Sequence, residues 1–268
     1  MELEIVRADP AGNITIFIMN PPENQKIRIK ALMTLLADKN LGAEQAGFVF
    51  PPEKPGENWR LEMAGGEFCA NASRSLGLLI AAKTGISGKH TMMLETSGMP
   101  VPVPVHIDTG AQTAEIEIPG TQEEKEIFMD GKNYPVYVFE GITHIIAADI
   151  PPDEETVHKL ICETDRQAEG QPLCSALGVM FFDSRKCLMR PVVWTRTIDT
   201  LVRESSCGSG TAAMGAWLTR NEWETDRYID IEQPGGTITV HVIKQNRKIN
   251  QLSISGKVTL SETMRYDI

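Results

Sequence analysis

One stretch of this sequence occurs twice, and the repetition restricts the fold more than any other feature. Gly66-Glu67-Phe68-Cys69-Ala70-Asn71-Ala72-Ser73-Arg74-Ser75-Leu76-Gly77 is echoed by Ser205-Ser206-Cys207-Gly208-Ser209-Gly210-Thr211-Ala212-Ala213-Met214-Gly215. Aligned on the thiols, Asn71 falls on Ser209, Ser73 on Thr211 and Gly77 on Gly215, and the cysteines lie 138 positions apart, about half the chain. The echo continues at Val103-Pro104-Val105-His106 against Thr239-Val240-His241-Val242, and at Glu115-Ile116-Glu117-Ile118-Pro119-Gly120 against Gln251-Leu252-Ser253-Ile254-Ser255-Gly256. Self-similarity at a fixed separation marks one structural unit built twice. The chain is therefore expected to form two related α/β units, each with a cysteine where a loop of small residues enters an apolar helix.

That position has chemical consequences. The first turn of a helix carries N–H groups without intrahelical partners and the positive end of the dipole. It is a ready seat for an anion, and a thiol placed there has its pKa lowered. Taken singly, each cysteine is read equally well as a small buried space-filler. Two thiols in matched positions favour a site between the halves, with both dipoles converging on one anion and both sulfurs flanking one carbon beside it. Inversion of a stereocentre next to a carboxylate suits this arrangement: one base removes a proton and an acid on the opposite face returns one. A redox pair would favour the closely spaced CxxC pattern, which is absent. A structural zinc would need further Cys or His ligands, and the five histidines at 90, 106, 144, 158 and 241 show no ligand spacing. His106 and His241, at similar strand positions, read as structural. Gly208 to Gly215 lacks the glycine spacing of a dinucleotide fingerprint.

The 268 residues are 41% hydrophobic and 23% charged, the balance of a globular protein, and the net charge of −10 comes with no basic cluster. This argues against nucleic-acid and anionic-membrane partners. No apolar run reaches the roughly 20 residues that span a bilayer, and Met1-Glu2-Leu3-Glu4-Ile5-Val6-Arg7 has no signal-peptide character. A cytoplasmic setting is expected. Five cysteines without framework spacing do not suggest disulfides, and Cys162, Cys174 and Cys187 read as buried filler.

Strands are expected at residues 2–6, 14–19, 46–50, 59–63, 90–95, 101–107 and 114–118, then at 134–139, 143–147, 177–182, 188–195, 228–231, 237–242 and 252–254. Helices are expected at 24–37, from Cys69 to near Gly85, at 153–167 and after Cys207. The apolar residues of the first are Ile27, Ile29, Leu32, Leu35 and Leu36. The polar, acidic residues 120–125 read as the approach to a domain boundary, giving an N-terminal domain of 1–124 and a C-terminal domain of 125–268. Strand-rich halves, each around one central helix, describe an α+β fold of two pseudo-symmetric, mostly antiparallel curled sheets rather than a doubly wound one. From residue type alone, Asn13 in Pro10-Ala11-Gly12-Asn13 reads as a turn former and Glu44 as a solvated charge.

Phe68-Cys69-Ala70-Asn71, Ser206-Cys207-Gly208-Ser209-Gly210 and Gly12-Asn13 resemble the motifs of the diaminopimelate epimerase superfamily, racemases and epimerases that use two cysteines and no pyridoxal phosphate. The resemblance spans essentially the whole chain. The patterns Pro10-x-Gly12-Asn13-x-Thr15, Glu44-Gln45-x-Gly47-Phe48, Gly66-Glu67-Phe68-Cys69, Glu204-x-Ser206-Cys207-Gly208-Ser209-Gly210-Thr211 and Gln233-Pro234-Gly235-Gly236 are similar to those of the histidine racemases of staphylopine-type metallophore pathways. The resemblance implies a site in the cleft between two similar halves. It implies Cys69 and Cys207 as catalytic, Asn13, Glu44, Ala70, Asn71, Gly208 and Ser209 as substrate-binding, and no metal or other cofactor. It implies a free amino acid as partner, leaves a homodimer open, and suggests that the tail after about Ser261 returns to the first domain. Diaminopimelate epimerases hold the far end of their substrate with Asn side chains and a Glu-Arg pair. The matching places here are Arg60, Ile142, Ala176 and Ile198-Asp199, with Arg196 as a candidate replacement arginine. A second ammonium and carboxylate would be left poorly paired, which is costly in a closed site. Histidine or a similar polar or basic amino acid is therefore expected as substrate, tied to Glu44. The alternatives are diaminopimelate epimerase itself, an amino-acid-binding protein without turnover, and a phenazine-type isomerase, the last two giving no role to paired thiols.

Overall fold

The computed structural model describes residues 1–54, 56–119, 123–168, 174, 176–196 and 199–268. Ile198 and residues 120–122 of the expected boundary lie outside them. The fold is sheet-dominated α+β, with four helices among the described residues. The chain forms two compact units, Met1–Glu117 with Ser255–Ile268, and Ile118–Ile254. The division thus falls between 117 and 118 rather than 124 and 125, and the segment belonging to the first unit starts at Ser255 rather than about Ser261.

In the first unit, β1 (Glu2–Asp9) pairs antiparallel with β2 (Thr15–Ile18), and β2 pairs parallel with β3 (Gln45–Phe50). Next, β3 pairs antiparallel with β4 (Trp59–Met63), and β4 parallel with β5 (Lys89–Thr96). An antiparallel run through β6 (Val103–Asp108) to β7 (Thr113–Glu117) follows. Helix α1 (Gln25–Ala37) starts at Asn24, whose side chain accepts from the N–H of Lys26 and Ile27. It buries Ala31 and Leu35 against Leu3, Ile5, Ile16 and Ile18. Ile27, Ile29 and Leu36 of the expected apolar stripe stay exposed instead.

Helix α2 (Ala70–Thr84) is the centre of this unit. Every residue from Ala70 to Ala81 is buried, as expected of a helix without a solvent face, and it packs on β5, β6, β7 and β1. The approach to β6 is so close that a Cβ on Gly77 would lie 2.7 Å from Val105 Cγ1. Gly85, at φ 74°, closes the helix in the left-handed region.

In the second unit, β8 (Glu123–Met129), β9 (Lys132–Val138) and β10 (Ile142–Ala148) run antiparallel. Strand β10 pairs parallel with β11 (Ala176–Asp183), and β11 antiparallel with β12 (Leu188–Thr195). Strand β12 pairs antiparallel with β13 (Thr200–Arg203) and meets β14 (Thr225–Gln233) in parallel at Leu188 and Glu232. A two-residue turn at Pro234-Gly235 then leads antiparallel into β15 (Gly236–Gln245). Helix α3 (Glu154–Gln167), capped by Asp153, buries Val157, Leu160, Ile161 and Thr164. Helix α4 (Gly208–Leu218) buries Gly208 and Gly210 to Ala216, and a Cβ on Gly215 would lie 2.6 Å from Val240 Cγ2. Strand β16 (Lys248–Lys257) leads into β17 (Thr259–Leu260) and β18 (Met264–Asp267), and both pair antiparallel with β1.

Strands β8 and β13 run where no strand was expected. Of β8 only Ile127 is buried, and Thr200, Val202 and Arg203 of β13 are exposed, so neither carries the apolar alternation that identifies a half-buried strand. Residues 123–125 are therefore strand rather than boundary loop.

Candidate active site

Cys69 is the N-cap of α2, with an extended backbone, φ −120° and ψ 107°. Its sulfur accepts the Ala72 N–H at 3.4 Å, and its carbonyl accepts the Ser73 N–H at 2.9 Å. The N–H groups of Ala70 and Asn71, which open the helix, have no intrahelical partner. The thiol itself donates to Gln45 Oε1 at 3.3 Å. Gln45 Nε2 donates to Asn13 Oδ1 at 2.7 Å and to Thr15 Oγ1 at 2.9 Å. Asn13 Nδ2 donates to Glu44 Oε2 at 2.8 Å, and Asn71 Nδ2 to Asn13 Oδ1 at 3.2 Å. Asn13, Glu44, Cys69, Ala70 and Asn71 are thus together in one unit. Asn13 is a buried junction of this network, not a simple turn residue.

Behind Asn71 lies Arg74, the largest fully buried side chain. Its guanidinium donates to Asn71 Oδ1 at 3.2 Å, Gly256 O at 3.0 Å and Pro10 O at 3.2 Å. Burial pulls its pKa down to about 10, and the charge of the Cys69 thiolate acts in the opposite direction. Among the described residues no carboxylate pairs with it.

Cys207 is the N-cap of α4, again extended, at φ −130° and ψ 116°. Its N–H donates to Gln233 Oε1 at 2.8 Å, and Gln233 Nε2 donates to Thr211 Oγ1 at 2.9 Å. Thr211 returns its own hydroxyl to Cys207 O at 2.6 Å. The lowered pKa expected of a helix-capping thiol is not found here. Burial pushes the Cys207 thiol well above the ordinary range, and the Glu204 carboxylate adds to this. The Gly210 N–H and the Ser209 hydroxyl act the other way but lose, because Cys207 is 6% exposed and the thiolate is denied water.

Ser209 Oγ lies 3.7 Å from Cys207 Sγ and 2.8 Å from His144 Nε2. The His144 ring is fully buried, and burial pulls its pKa down to about 3, so it is neutral. Its Nδ1 has no hydrogen-bond partner among the described residues. Orphaned buried N–H groups are the rarer kind, so the tautomer carries its proton on Nε2. That N–H donates to Ser209 Oγ, and the serine proton is left to point at the sulfur. Gly178, register partner of His144 on β11, leaves room for the ring: a Cβ there would strike His144 Nδ1.

The remaining candidates are held elsewhere. Arg60 is half exposed, over the Phe50 ring at 4.3 Å and 2.9 Å from Glu62. Ile142 and Ala176 are register partners across β10 and β11. Arg196, the candidate replacement arginine, is instead a fork on Asp165, at 2.9 and 2.7 Å, over Trp194, and Asp199 accepts the Trp194 Nε1–H. His106 bonds Thr91, while His241 bonds Asp226 and stacks on Tyr228. Cys162 is exposed and Cys174 and Cys187 are half-buried, so none is the buried filler expected. Residue-by-residue reading missed Arg74, His144, Glu204 and the contact of Gln233. The usable signal was an arginine inside an otherwise small and apolar helix, five residues after a thiol.

A profile of the family described as "Histidine racemase CntK N-terminal domain" matches residues 2–264. This chain belongs to the histidine racemase family. With that family it belongs to the racemases, a class of isomerases. Among its relatives, a histidine racemase of Fusobacterium nucleatum is 34% identical over 87% of both chains. One of Staphylococcus aureus is 25% identical over 97% of this chain and 96% of its own. The solved structure of a phenazine biosynthesis protein of the PhzF family from Bacillus anthracis covers all of both chains at TM-score 0.67 and 12% identity. The family therefore shares its fold with proteins of other description, and the fold alone does not select the chemistry.

Proposed function

We propose that this protein racemises free histidine without a cofactor, using Cys69 and Cys207 as its acid–base pair. A thiolate takes the Cα proton, the electron pair is held beside the substrate carboxylate, and the other thiol returns a proton to the opposite face. Charge and proton count are conserved, with thiol and thiolate exchanged. The observation that carries this reading is the repeated placement of a thiol at the N-cap of a buried helix, once in each unit. The N–H groups of Ala70, Asn71, Gly208 and Ser209 are assigned to the substrate carboxylate. Asn71 fulfils this through its main chain, since its amide is bonded to Asn13 and Arg74.

The reading of two copies of one unit is supported by the order of strand pairing. From β1 to β6 it runs antiparallel, parallel, antiparallel, parallel, antiparallel. From β9 through β10, β11, β12 and β14 to β15 it runs the same way. Gly77 and Gly215 meet strand valines alike. No described helix is long and apolar enough to cross a membrane. The acidic charge suits a cytoplasmic enzyme acting, alone or as a homodimer, on a small free substrate.

Glu44 is assigned to the imidazole. The test is chiral analysis of an L-amino-acid panel in D₂O, with deuterium at Cα as the mark of proton exchange, for wild type and Glu44→Gln. Histidine should exceed diaminopimelate by orders of magnitude. The variant should lose roughly tenfold to a hundredfold on histidine, as when a polar group in a closed site loses its partner. Its melting temperature should hold, because one exposed charge contributes little. Diaminopimelate as the better substrate would refute the assignment.

A further inference from the structure

The hydrogen bonds around Cys69 have a direction, and the direction is fixed at both ends. A guanidinium can only donate and a carboxylate can only accept. Arg74 Nε donates to Asn71 Oδ1, which turns Asn71 Nδ2 toward Asn13 Oδ1 at 3.2 Å. Asn13 Nδ2 must then face Glu44, as it does at 2.8 Å. Asn13 Oδ1, so oriented, takes the Gln45 Nε2–H at 2.7 Å, and Thr15 Oγ1 takes the other at 2.9 Å. No amide in the chain can flip without setting donor against donor or, at Gln45, acceptor against acceptor. The carbonyl oxygen of Gln45 is therefore the group left to face the sulfur, at 3.3 Å.

An acceptor in contact with a thiol favours S–H over S⁻. In the first unit Arg74, on its own helix, acts on Cys69 by its charge, and Glu44 is reached through Asn13. Arg74 and the Ala72 N–H draw the sulfur toward the thiolate, whereas the Gln45 carbonyl opposes them. The second unit is built differently: there the acceptor at the thiol is a carboxylate, Glu204, with no amide chain described behind it. The position matching Arg74 is Ala212, and Gln233 accepts from the backbone of Cys207, not from its sulfur.

We propose that Gln45 is a positioning residue: the amide chain strung between Glu44 and Arg74 locks its carbonyl oxygen onto Cys69, favours the protonated thiol, and passes the state of Glu44 to that thiol. This rests on the reading of Cys69 as an acid–base group and Glu44 as the substrate-side carboxylate. The residue that recognises the side chain and the sulfur that handles the Cα proton would then be wired together. A substrate N–H that competes with Asn13 for Glu44 loosens the lock and lets Gln45 Nε2 turn toward a thiolate.

The test is the pH dependence of iodoacetamide labelling at Cys69, read by peptide mass spectrometry so that the other cysteines do not interfere. The midpoint of that profile reports ionisation, and accessibility scales its height only. Gln45→Met, nearly isosteric and without an acceptor, should lower the midpoint by about one pH unit, a roughly tenfold faster labelling near neutrality. Glu44→Gln should lower it by less in the wild-type background and not at all in the Gln45→Met background. A through-space charge effect would persist there, so an undiminished Glu44→Gln shift in the double variant overturns the wiring. An unchanged or raised midpoint in folded Gln45→Met overturns the lock itself. If Gln45→Met fails to fold, the infrared difference between wild type and Cys69→Ala at pH 5 decides. The S–H stretch should lie below that of an unbonded thiol, and a band at the unbonded frequency overturns the proposal. Racemisation by Cys69→Ala at the wild-type rate would sink the functional reading instead, independently of these midpoints.

Discussion

Gly210 is the position where a single methyl group should separate catalysis from stability. It is the third residue of α4, and a Cβ there would lie 3.3 Å from both Cβ and Sγ of Cys207 and would run into Met180 Sδ. Met180 is fully buried on β11, so it cannot swing into solvent, and the thiol must yield by a few tenths of an ångström. A misplacement of about 1 Å costs on the order of a hundredfold in rate. Scaled to this shift, Gly210→Ala should lose roughly fivefold to tenfold in kcat/KM, about 1–1.4 kcal/mol of transition-state stabilisation. Overpacking costs about 1–3 kcal/mol, offset by up to about 1 kcal/mol from replacing glycine inside a helix. The control is Gly215→Ala on the same helix, whose Cβ would meet Val240 at 2.6 and 2.9 Å and Val242 at 3.0 Å. Those valines are stiff at χ1, so this variant should be destabilised, with Tm falling by roughly 2–4 °C per kcal/mol. Its activity per folded molecule should hold. Racemisation kinetics on D- and L-histidine, normalised to folded protein, provide the assay. Equal losses in the two variants, or an unimpaired Gly210→Ala, would refute the claim that Cys207 is held by close packing in a reactive position.

Cys69→Ala and Cys207→Ala should each abolish racemisation, and the serine variants should retain slow exchange at best, because a hydroxyl is a much weaker acid and base near neutrality; full activity in either alanine variant would end the two-thiol reading. Alkylation of Cys207 should set in only above the ordinary thiol range, because its pKa is raised, and saturating histidine should protect both thiols. Buried His144 titrates near 3 in the folded chain against about 6.5 unfolded, so the unfolded state binds the extra proton first and stability declines as pH falls below about 6.5. The slope approaches 1.4 kcal/mol per pH unit, and His144→Gln should flatten it in urea titrations between pH 7 and pH 5.

The elements that the sequence announced are those whose side chains meet two different environments. Trp59–Met63 and Leu188–Thr195 match their expected bounds: the first turns Leu61 and Met63 inward, and the second runs through buried Met189, Val192 and Val193 while Arg190 faces water. Asn24 and Asp153 marked helix starts because a short acceptor side chain satisfies first-turn N–H groups there. Strand β8 was invisible because its long charged residues face water on both sides, and its pairing with β9 is a property of the partner rather than of its own composition.

The site was legible in residue type but not in who holds whom. Cys69, Asn13 and Glu44 could be picked out because short motifs place them, yet what they do to one another depends on contacts across 24 to 58 residues of chain. The two thiols read as equivalent because helix N-termini are equivalent in sequence. They become unequal only through burial and neighbours: Cys207 is closed in beside Glu204, while Cys69 has a buried guanidinium behind it and a glutamine carbonyl in front. On the proposed reading, a duplicated unit supplies matched backbone positions for two proton-transfer groups. The proposed chemistry needs them mismatched, one proton held while the other is given up, and the mismatch would be carried by positions where the repeats diverge. Arg74 faces Ala212 in the alignment, and a buried guanidinium at this helix position in one repeat, with a methyl group in the other, is a difference that no backbone symmetry can average away.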